Sequence, residues 1–473
     1  MLLPPPRAHL TPPSGWMNDP NGPIFWQGRW HLYYQYNPYA CTWATPLWGH
    51  AVSEDLAHWR HLPVALRPDP DGPDADGCFS GCMVDDGTGS PLAVYTGVRE
   101  QGGTLLQTTC LARASEDLTR LEQLAHNPVI GGPPEADATE GFRDPFVWRE
   151  DGQWLQLVGS GSPTRGGVVY LYRSDDLHDW TYVGPLHRAP GEPGHPLDPG
   201  VMWECPQLVR SEAGDVLIIS AHDDRDPTRH KVLGFAGHRT EGRLVERDRF
   251  LVDAGSACYA PAVYREPSGR TLLWGWVTEA QPDAAATAQG FSGAMTLPRE
   301  VWVTETGRLA SRPAEETRAL RGQVRMKDTL TLAPGRSVLL DGDARYAWLD
   351  AELDADPTSV VTCTLLASPD GREATHLELD LPAGQVRLDR SAASLAEGVT
   401  RTPEVAALPA HEGTLHLTVI IDATILEVFL GDTLALTSRV YPTLRDATGL
   451  SLSVHGGALS ARVHLTDLEA ALV

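Results

Sequence analysis

The sequence predicts an all-β protein, a five-bladed β-propeller over residues 1–310 and a β-sandwich over 326–473, joined by a linker with a short helix at 311–325. Three observations predict it. "VSEDLAHW" (52–59), "ASEDLTRL" (114–121) and "RSDDLHDW" (173–180) repeat one pattern at intervals of about sixty residues, the mark of a repeated supersecondary unit. The stretches between are short runs of Val, Tyr, Trp and Leu bounded by Gly, Pro and Asp, which read as strands. After "LPREVWVTETGRLASRP" the texture changes to shorter alternating runs.

In the first part the strand-like runs include "RWHLYYQYNP", "SPLAVYTGV", "GQWLQLVGSG", "GGVVYLYRS", "DVLIISAHD" and "RTLLWGWVTE". About sixty residues hold four such strands with their loops, the content of one propeller blade. Solenoid repeats are shorter. "PAEETRALRGQV" (313–324) then has a Pro start and helical spacing, and predicts a linker helix. Beyond it, "RSVLLDGD", "YAWLDAELDA", "VVTCTLLAS", "THLELDL", "TLHLTVIIDATILEVFLGD" and "TLALTSRVYP" alternate with period two. That is the pattern of a sandwich of eight to ten strands.

The 473 residues carry 38 Lys and Arg against 62 Asp and Glu, a formal charge of −24. Such a balance argues against nucleic acid and anionic membrane surfaces as partners. No apolar run approaches the ~18–20 residues of a membrane span. Prolines interrupt "MLLPPPRAHLTPPSG" where a signal peptide would be apolar, so a cytoplasmic location is expected. Seven scattered cysteines (41, 78, 82, 110, 205, 258 and 363) form neither a disulfide framework nor a zinc spacing. They read as buried small apolar residues.

One phase of the repeat carries chemistry. Starting from Asp19 in "GWMNDPNG" (15–22), steps of about sixty reach Phe79 in "CFSGC", Asp144 in "EGFRDPF", Glu204 in "WECPQ" and Tyr259 in "CYAPA". Three of the five hold a carboxylate at or next to a Pro-containing turn. Equivalent positions on successive blades converge on the propeller axis at one end. Carboxylates gathered there repel, so one takes up a proton. An ionised and a protonated carboxyl side by side are what glycosidic bond cleavage requires.

Trp16, Trp43, Trp48, Phe79, Trp203 and Trp276 are candidate flat faces for a sugar ring, and Asn18, Gln35, Ser80 and Arg143 candidate partners for its hydroxyls. The alternative for each aromatic is a packing role, and for Arg143 an ion pair with Asp144. His50 reads as structural.

With these residues in view, the chain resembles glycoside hydrolase family 32, the invertase, levanase and sucrose-6-phosphate hydrolase group. The resemblance rests on "WMNDPNG" (16–22), "YYQYNP" (33–38), "WGHAVSEDLAHW" (48–59), "FSG" (79–81), "FRDP" (142–145), "WECP" (203–206), "GWV" (275–277) and "LPRE" (297–300). "DATILEVFLGD" (422–432) and "SRVYP" (438–442) are similar to strand pairs of the family's C-terminal domain. The resemblance implies a propeller with a sandwich, and Asp19 as nucleophile, Glu204 as general acid and base, and Asp144 as transition-state stabiliser. Asn18, Gln35, Trp43, Phe79, Ser80, Arg143 and Trp276 would line the fructose subsite. The sequence departs from the family at "WATPLWGH", at Cys82 and at Cys258, which touches leaving-group preference more than chemistry.

The expected reaction is retaining hydrolysis of a terminal β-D-fructofuranosyl bond in sucrose, sucrose 6-phosphate or a fructo-oligosaccharide. It needs no metal or organic cofactor, and Glu204 is expected to hold the proton. Fructosyl transfer and simple sugar binding are the alternatives. A phosphorylated substrate would want a cation at the rim, for which Arg165, Arg225 and Arg229 are candidates.

Overall fold

A computed structural model describes residues 3–136, 138–223, 230–411 and 413–472. The fold is nearly all β. Residues 15–313 form antiparallel four-stranded units in chain order. The first is Gly15–Trp26, Arg29–Asn37, Leu47–Ser53 and Trp59–Leu66, and the second Gly77–Val84, Leu92–Gln101, Thr104–Ala114 and Leu121–Gln123. The third (Phe142–Glu150, Gln153–Ser162, Gly166–Ser174, Thr181–Ala189) joins the fourth (Met202–Ser211, Gly214–His222, Lys231–Thr240, Arg243–Leu251) through a Gly161–Met202 pair. A fifth consists of Cys258–Arg265, Thr271–Val277, Arg299–Val303 and Leu309–Pro313. The first strand of each unit lies against the first strand of the next, and that of the fifth returns to Gly15–Trp26. Phe291–Ser292 adds a parallel pairing onto Gly15–Trp16.

The repeated Ser-acid-Asp-Leu marks are the turns between third and fourth strands. In each, Ser53, Ser115 or Ser174 bonds the Asp two places on, and that Asp accepts backbone N–H groups beyond it. Short polar side chains commonly build turns this way. The following Leu56, Leu118 and Leu177 take positive φ (63°, 59° and 71°) and are buried. The leucines plug the units, so the turn and its apolar anchor recur together.

The first strands share a second feature. Each carries a register irregularity: Met17/Pro20, Phe79/Gly81, opposite Leu157/Gly159, Glu204/Gln207 and Tyr259/Ala262. A bulge leaves an extra residue unpaired and re-aims its side chain. Pro20, Pro145, Pro206 and Pro261 sit at four of these five places, where the missing N–H costs nothing. Asp144, Cys205 and Ala260 take positive φ there (64°, 47° and 47°). Sequence phase, proline and bulge are thus one device.

Beyond the units, the expected linker helix at 313–324 is replaced by a 3-10 turn at Glu315–Leu320, with strand Arg321–Leu332 following at once. The apolar side chains of "RALRGQV" that suggested helical spacing belong partly to that strand. Among the described residues, 321–468 hold twelve strands rather than eight to ten, in two six-stranded antiparallel sheets. Leu349, Leu417, Val428 and Val463 from one sheet meet Val361, Leu377, Leu388 and Leu452 from the other in one apolar core.

The seam between the two halves joins an apolar cluster, in which Trp30, Trp274 and Leu297 meet Trp348, Ile420 and Phe429, to a buried charged one. The Asp422 carboxylate accepts the backbone N–H groups of Arg7, Ala8 and His9. The His9 ring lies between Asp422 Oδ2 (2.7 Å) and Glu427 Oε1 (2.9 Å), and Arg299 bridges Glu427 and Asp253. Among the described residues no helix is long and apolar enough to cross a membrane.

Candidate active site

The bulges bring Asp19, Ser80, Asp144 and Cys205, with Glu204, to one place. Asp19 Oδ2 accepts the Ser80 hydroxyl at 2.6 Å, and Oδ1 accepts Asn18 Nδ2 at 3.0 Å. Cys205 joins the acidic motifs: its N–H donates to Asp144 Oδ2 at 3.0 Å, and its Sγ lies 3.5 Å from Asp19 Oδ2 and 3.6 Å from Asp144 Oδ2. The N–H of Asp144 donates to Thr96 Oγ1 at 2.8 Å.

Glu204 is held from both sides. Arg143 donates through Nε (3.0 Å) and Nη2 (2.8 Å) to Oε1, while the Tyr259 hydroxyl (2.7 Å) and His222 Nδ1 (3.2 Å) meet Oε2. Arg143 is therefore paired with Glu204 rather than with its neighbour Asp144. Gln107 Oε1 accepts the Phe142 N–H at 2.7 Å and Arg143 Nη1 at 3.3 Å, which orients the guanidinium.

The three carboxyls do not titrate alike. Burial raises the Asp19 pKa, and the Glu204 charge raises it further against hydrogen bonds from Ser80 and Asn18. Burial pushes Asp144 up to about 7, opposed by Arg143 and assisted by Glu204 and Asp19. Burial also acts to raise Glu204, but Arg143, His222 and Tyr259 outweigh it and hold this carboxyl below the ordinary range. The expectation that Glu204 holds the proton is therefore not met by its surroundings. The guanidinium and imidazole favour its charged form, and the proton belongs to the Asp144 side of the cluster. Burial and Glu204 keep the Tyr259 phenol neutral, a donor to Glu204.

The aromatic candidates divide. Trp276 lies edge-on to Trp16 at 5.6 Å and near Tyr259 at 6.3 Å, and Trp16 Nε1 donates to Asn18 Oδ1. Phe79 meets Trp43 edge-on at 5.9 Å, with Trp43 55% exposed at the rim. Trp48 and Trp203 offer no face to a ligand. Both are fully buried, their indole N–H groups donated to the Phe79 and Pro199 carbonyls. Gln35 is also buried, its Nε2 donating at 3.0 Å to the Cys78 carbonyl on the first strand of the second unit. His50 is buried against His31 and Tyr33. Arg165 pairs with Glu135 at 2.6 Å, and Arg225 and Arg229 lie outside the described residues.

Tyr259 stood at the right phase of the sequence but had no assigned role. His222 and Gln107 carried no signal, because each comes from a strand whose local pattern is that of an ordinary buried or edge residue. The assembled cluster can hold one exchangeable proton among three carboxyls beside a fixed cation, the equipment for acid–base and nucleophilic chemistry at one carbon.

Residues 9–313 match the glycosyl hydrolases family 32 N-terminal domain, and residues 316–471 match the glycosyl hydrolases family 32 C terminal domain. The chain is 32% identical over 476 residues to the sucrose-6-phosphate hydrolase of Escherichia coli, covering 96% of this chain and 93% of that protein. It is also 32% identical over 474 residues to an Escherichia coli raffinose invertase, with the same 96% and 93% coverage. Fructan 1-exohydrolase IIa of Cichorium intybus, solved with 1-kestose, superposes with a TM-score of 0.84 at 25% identity, over 99% of this chain and 98% of that one. A variant of the Bombyx mori β-fructofuranosidase, solved with sucrose, does so with a TM-score of 0.81 at 26% identity, over 99% and 94%.

Proposed function

Because the chain belongs to glycosyl hydrolase family 32, we propose that its carboxylate cluster performs retaining hydrolysis of terminal β-D-fructofuranosyl bonds, with sucrose the first substrate to try. The protein is a β-fructofuranosidase. Its five units, residues 15–313, are read as blades of a propeller, and its two six-stranded sheets, residues 321–468, as a β-sandwich, so the boundaries move by a few residues from the expected 310 and 326. The contacts from each first strand to the next, and from the fifth back to the first, support that reading.

Asp19 attacks the anomeric carbon of the fructosyl unit while Glu204 gives its proton to the leaving oxygen. The carbon–oxygen glycosidic bond breaks as the Asp19–carbon ester forms. A water then gives a proton to Glu204 and cleaves the ester, restoring both groups. Asp144 and Arg143 hold the sugar hydroxyls, and Asn18, Ser80, Phe79, Trp43 and Trp276 shape the pocket around the ring. Gln35 joins that lining, with its Nε2 fixed on the Cys78 carbonyl.

Glu204 must be protonated when the bond breaks, yet Arg143 and His222 favour its charged form. A sugar that draws Arg143 onto its hydroxyls removes the main support of that charge. The proton held on the Asp144 side then moves to Glu204, and the cluster enters the reaction with the one proton it needs. The observation that carries this reading is that Cys205, beside Glu204, touches both Asp19 and Asp144. The test is release of fructose from sucrose, sucrose 6-phosphate, raffinose, inulin and levan. The anomer first released, followed by proton NMR, must be the β form of fructofuranose. The α anomer, or no fructose from any of the five, would overturn the assignment.

A further inference from the structure

Residues 278–293 border the pocket. The segment leaves strand Thr271–Val277, which carries Trp276, forms the short helix Asp283–Gln289, and returns through Phe291–Ser292 to pair with Gly15–Trp16. Gly293, at φ +83°, approaches the wall so closely that a Cβ there would fall 2.0 Å from the Met17 carbonyl oxygen and 3.0 Å from Trp276 Nε1. From this wall Trp16 reaches Asn18, and Asn18 reaches Asp19.

The two ends of the segment are tied together by one carboxylate. Glu279 Oε1 accepts the Gly293 N–H at 3.0 Å, closing the segment on itself, and also accepts Arg439 Nη2 at 3.0 Å. Glu279 Oε2 accepts the Tyr441 hydroxyl at 2.6 Å, and that hydroxyl accepts the Ala280 N–H at 3.0 Å. Arg439 Nε donates to the Thr278 carbonyl at 3.2 Å. Arg439 and Tyr441 are both buried and both come from "SRVYP", in the second half of the chain. Bracing alone would not need charge here, since an apolar seam of equal volume is at least as stable as a buried ion pair. Charged, fully hydrogen-bonded contacts fix geometry instead.

We propose that Glu279 is a positioning residue through which Arg439 and Tyr441 of the second half set the Trp16–Trp276 wall of the fructose pocket. The proposal rests on the reading of that pocket given above. It gives the sandwich a part in substrate binding although none of its described residues bonds the carboxylate cluster.

The test compares Glu279→Gln and Tyr441→Phe in the full chain, with sucrose as substrate, at a temperature where each shows a cooperative melt well above the assay. The expected result is a fall in kcat/KM of roughly tenfold for Glu279→Gln and less for Tyr441→Phe. The fall is carried by KM, and both limbs of the pH profile stay in place. If Glu279→Gln does not fold, Tyr441→Phe, which loses one hydroxyl, decides alone. Variants that melt earlier but keep wild-type KM and kcat overturn the proposal and leave a mere brace. A displaced pH limb overturns it too, since the effect would then run through the carboxyls. A wild-type protein inactive on every fructoside overturns the reading of the pocket and this proposal together, whereas an active wild type with unaltered variants overturns this proposal alone.

Discussion

The backbone N–H of Cys205 donates to Oδ2 of Asp144 at 3.0 Å, so the residue after Glu204 anchors a carboxylate 61 positions earlier in the chain. Two acidic motifs are thus held to each other by the backbone of a bulge, and a third is held by the same cysteine through its sulfur 3.5 Å from Asp19.

That arrangement predicts steep losses from isosteric changes. Asp19→Asn removes the proposed nucleophile and Glu204→Gln the proposed proton donor, while each keeps its neighbours' shape. Turnover of sucrose should fall at least ~10²–10⁴-fold for Glu204→Gln, the usual worth of acid–base assistance, and as far or further for Asp19→Asn. Initial rates of glucose and fructose release measure both. Near-normal turnover in either folded variant would remove that residue from the reaction.

The pH dependence has a definite sign. In the free enzyme the Asp144 carboxyl gives up its proton at about 7. Above that pH the cluster has no proton for the leaving group, so kcat/KM should fall as pH rises through about 7. On the acid side, protonation of Asp19, whose pKa is raised by burial and by Glu204, silences the nucleophile. That limb should therefore lie above the ordinary Asp range. Ser80→Ala, which deletes a bond favouring charged Asp19, should move it higher still. A profile of kcat/KM against pH for wild type and Ser80→Ala tests both statements, and an acid limb that stays put in the variant would contradict them.

A separate pH effect belongs to stability. The buried His9 ring is raised to about 9: burial opposes the charge, but hydrogen bonds and attraction from Asp422 and Glu427 prevail. Its pKa is higher folded than unfolded. The stabilisation is therefore complete below about 6.5 and is lost as pH rises through about 9, worth roughly 3 kcal/mol in all. All seven cysteine thiols are also pushed up by burial, so they add a loss of the same sign once pH nears their unfolded value of about 8.5, and the His9 share is read from the difference between wild type and a His9 variant. Denaturant unfolding at pH 6.5, 8 and 9.5 should show the decline. In His9→Gln stability should be lower at pH 6.5 and should decline less steeply than in wild type between pH 6.5 and 8. A wild-type curve already flat there would contradict the charged imidazole.

Packing behind Glu204 can be probed without touching a polar group. A Cβ on Gly167 would fall 2.1 Å from the Trp203 ring. Gly167→Ala should therefore cost about 1–3 kcal/mol, the usual cost of overpacking. It should also lower activity, because Trp203 precedes Glu204 on the same strand. Thermal melts and sucrose kinetics check the pair of effects.

What could be read from the sequence follows from these causes. Asp19, Asp144 and Glu204 were legible because one backbone device recurs with one period and is marked by Pro20, Pro145 and Pro206. Trp48 and Trp203 misled, since an aromatic beside a catalytic motif has the same letter whether it faces the pocket or the core. Both turn inward, their N–H groups capped by carbonyls. The linker helix misled because "EETRAL" has the local spacing of a helix, while Arg321 onward is claimed by pairing with Leu459–Leu468. The seat of the proton was out of reach. It is set by Arg143, His222 and Tyr259 converging on Glu204 from three strands, and no local pattern encodes that meeting.

The clasp of Arg7, Ala8 and His9 by Asp422 and Glu427 also bears on biosynthesis. Those early residues have to wait for their partners until more than four hundred further residues have left the ribosome. A message cut short ahead of codon 422 would release a chain whose leading segment has nothing to close on, however complete its earlier sheets.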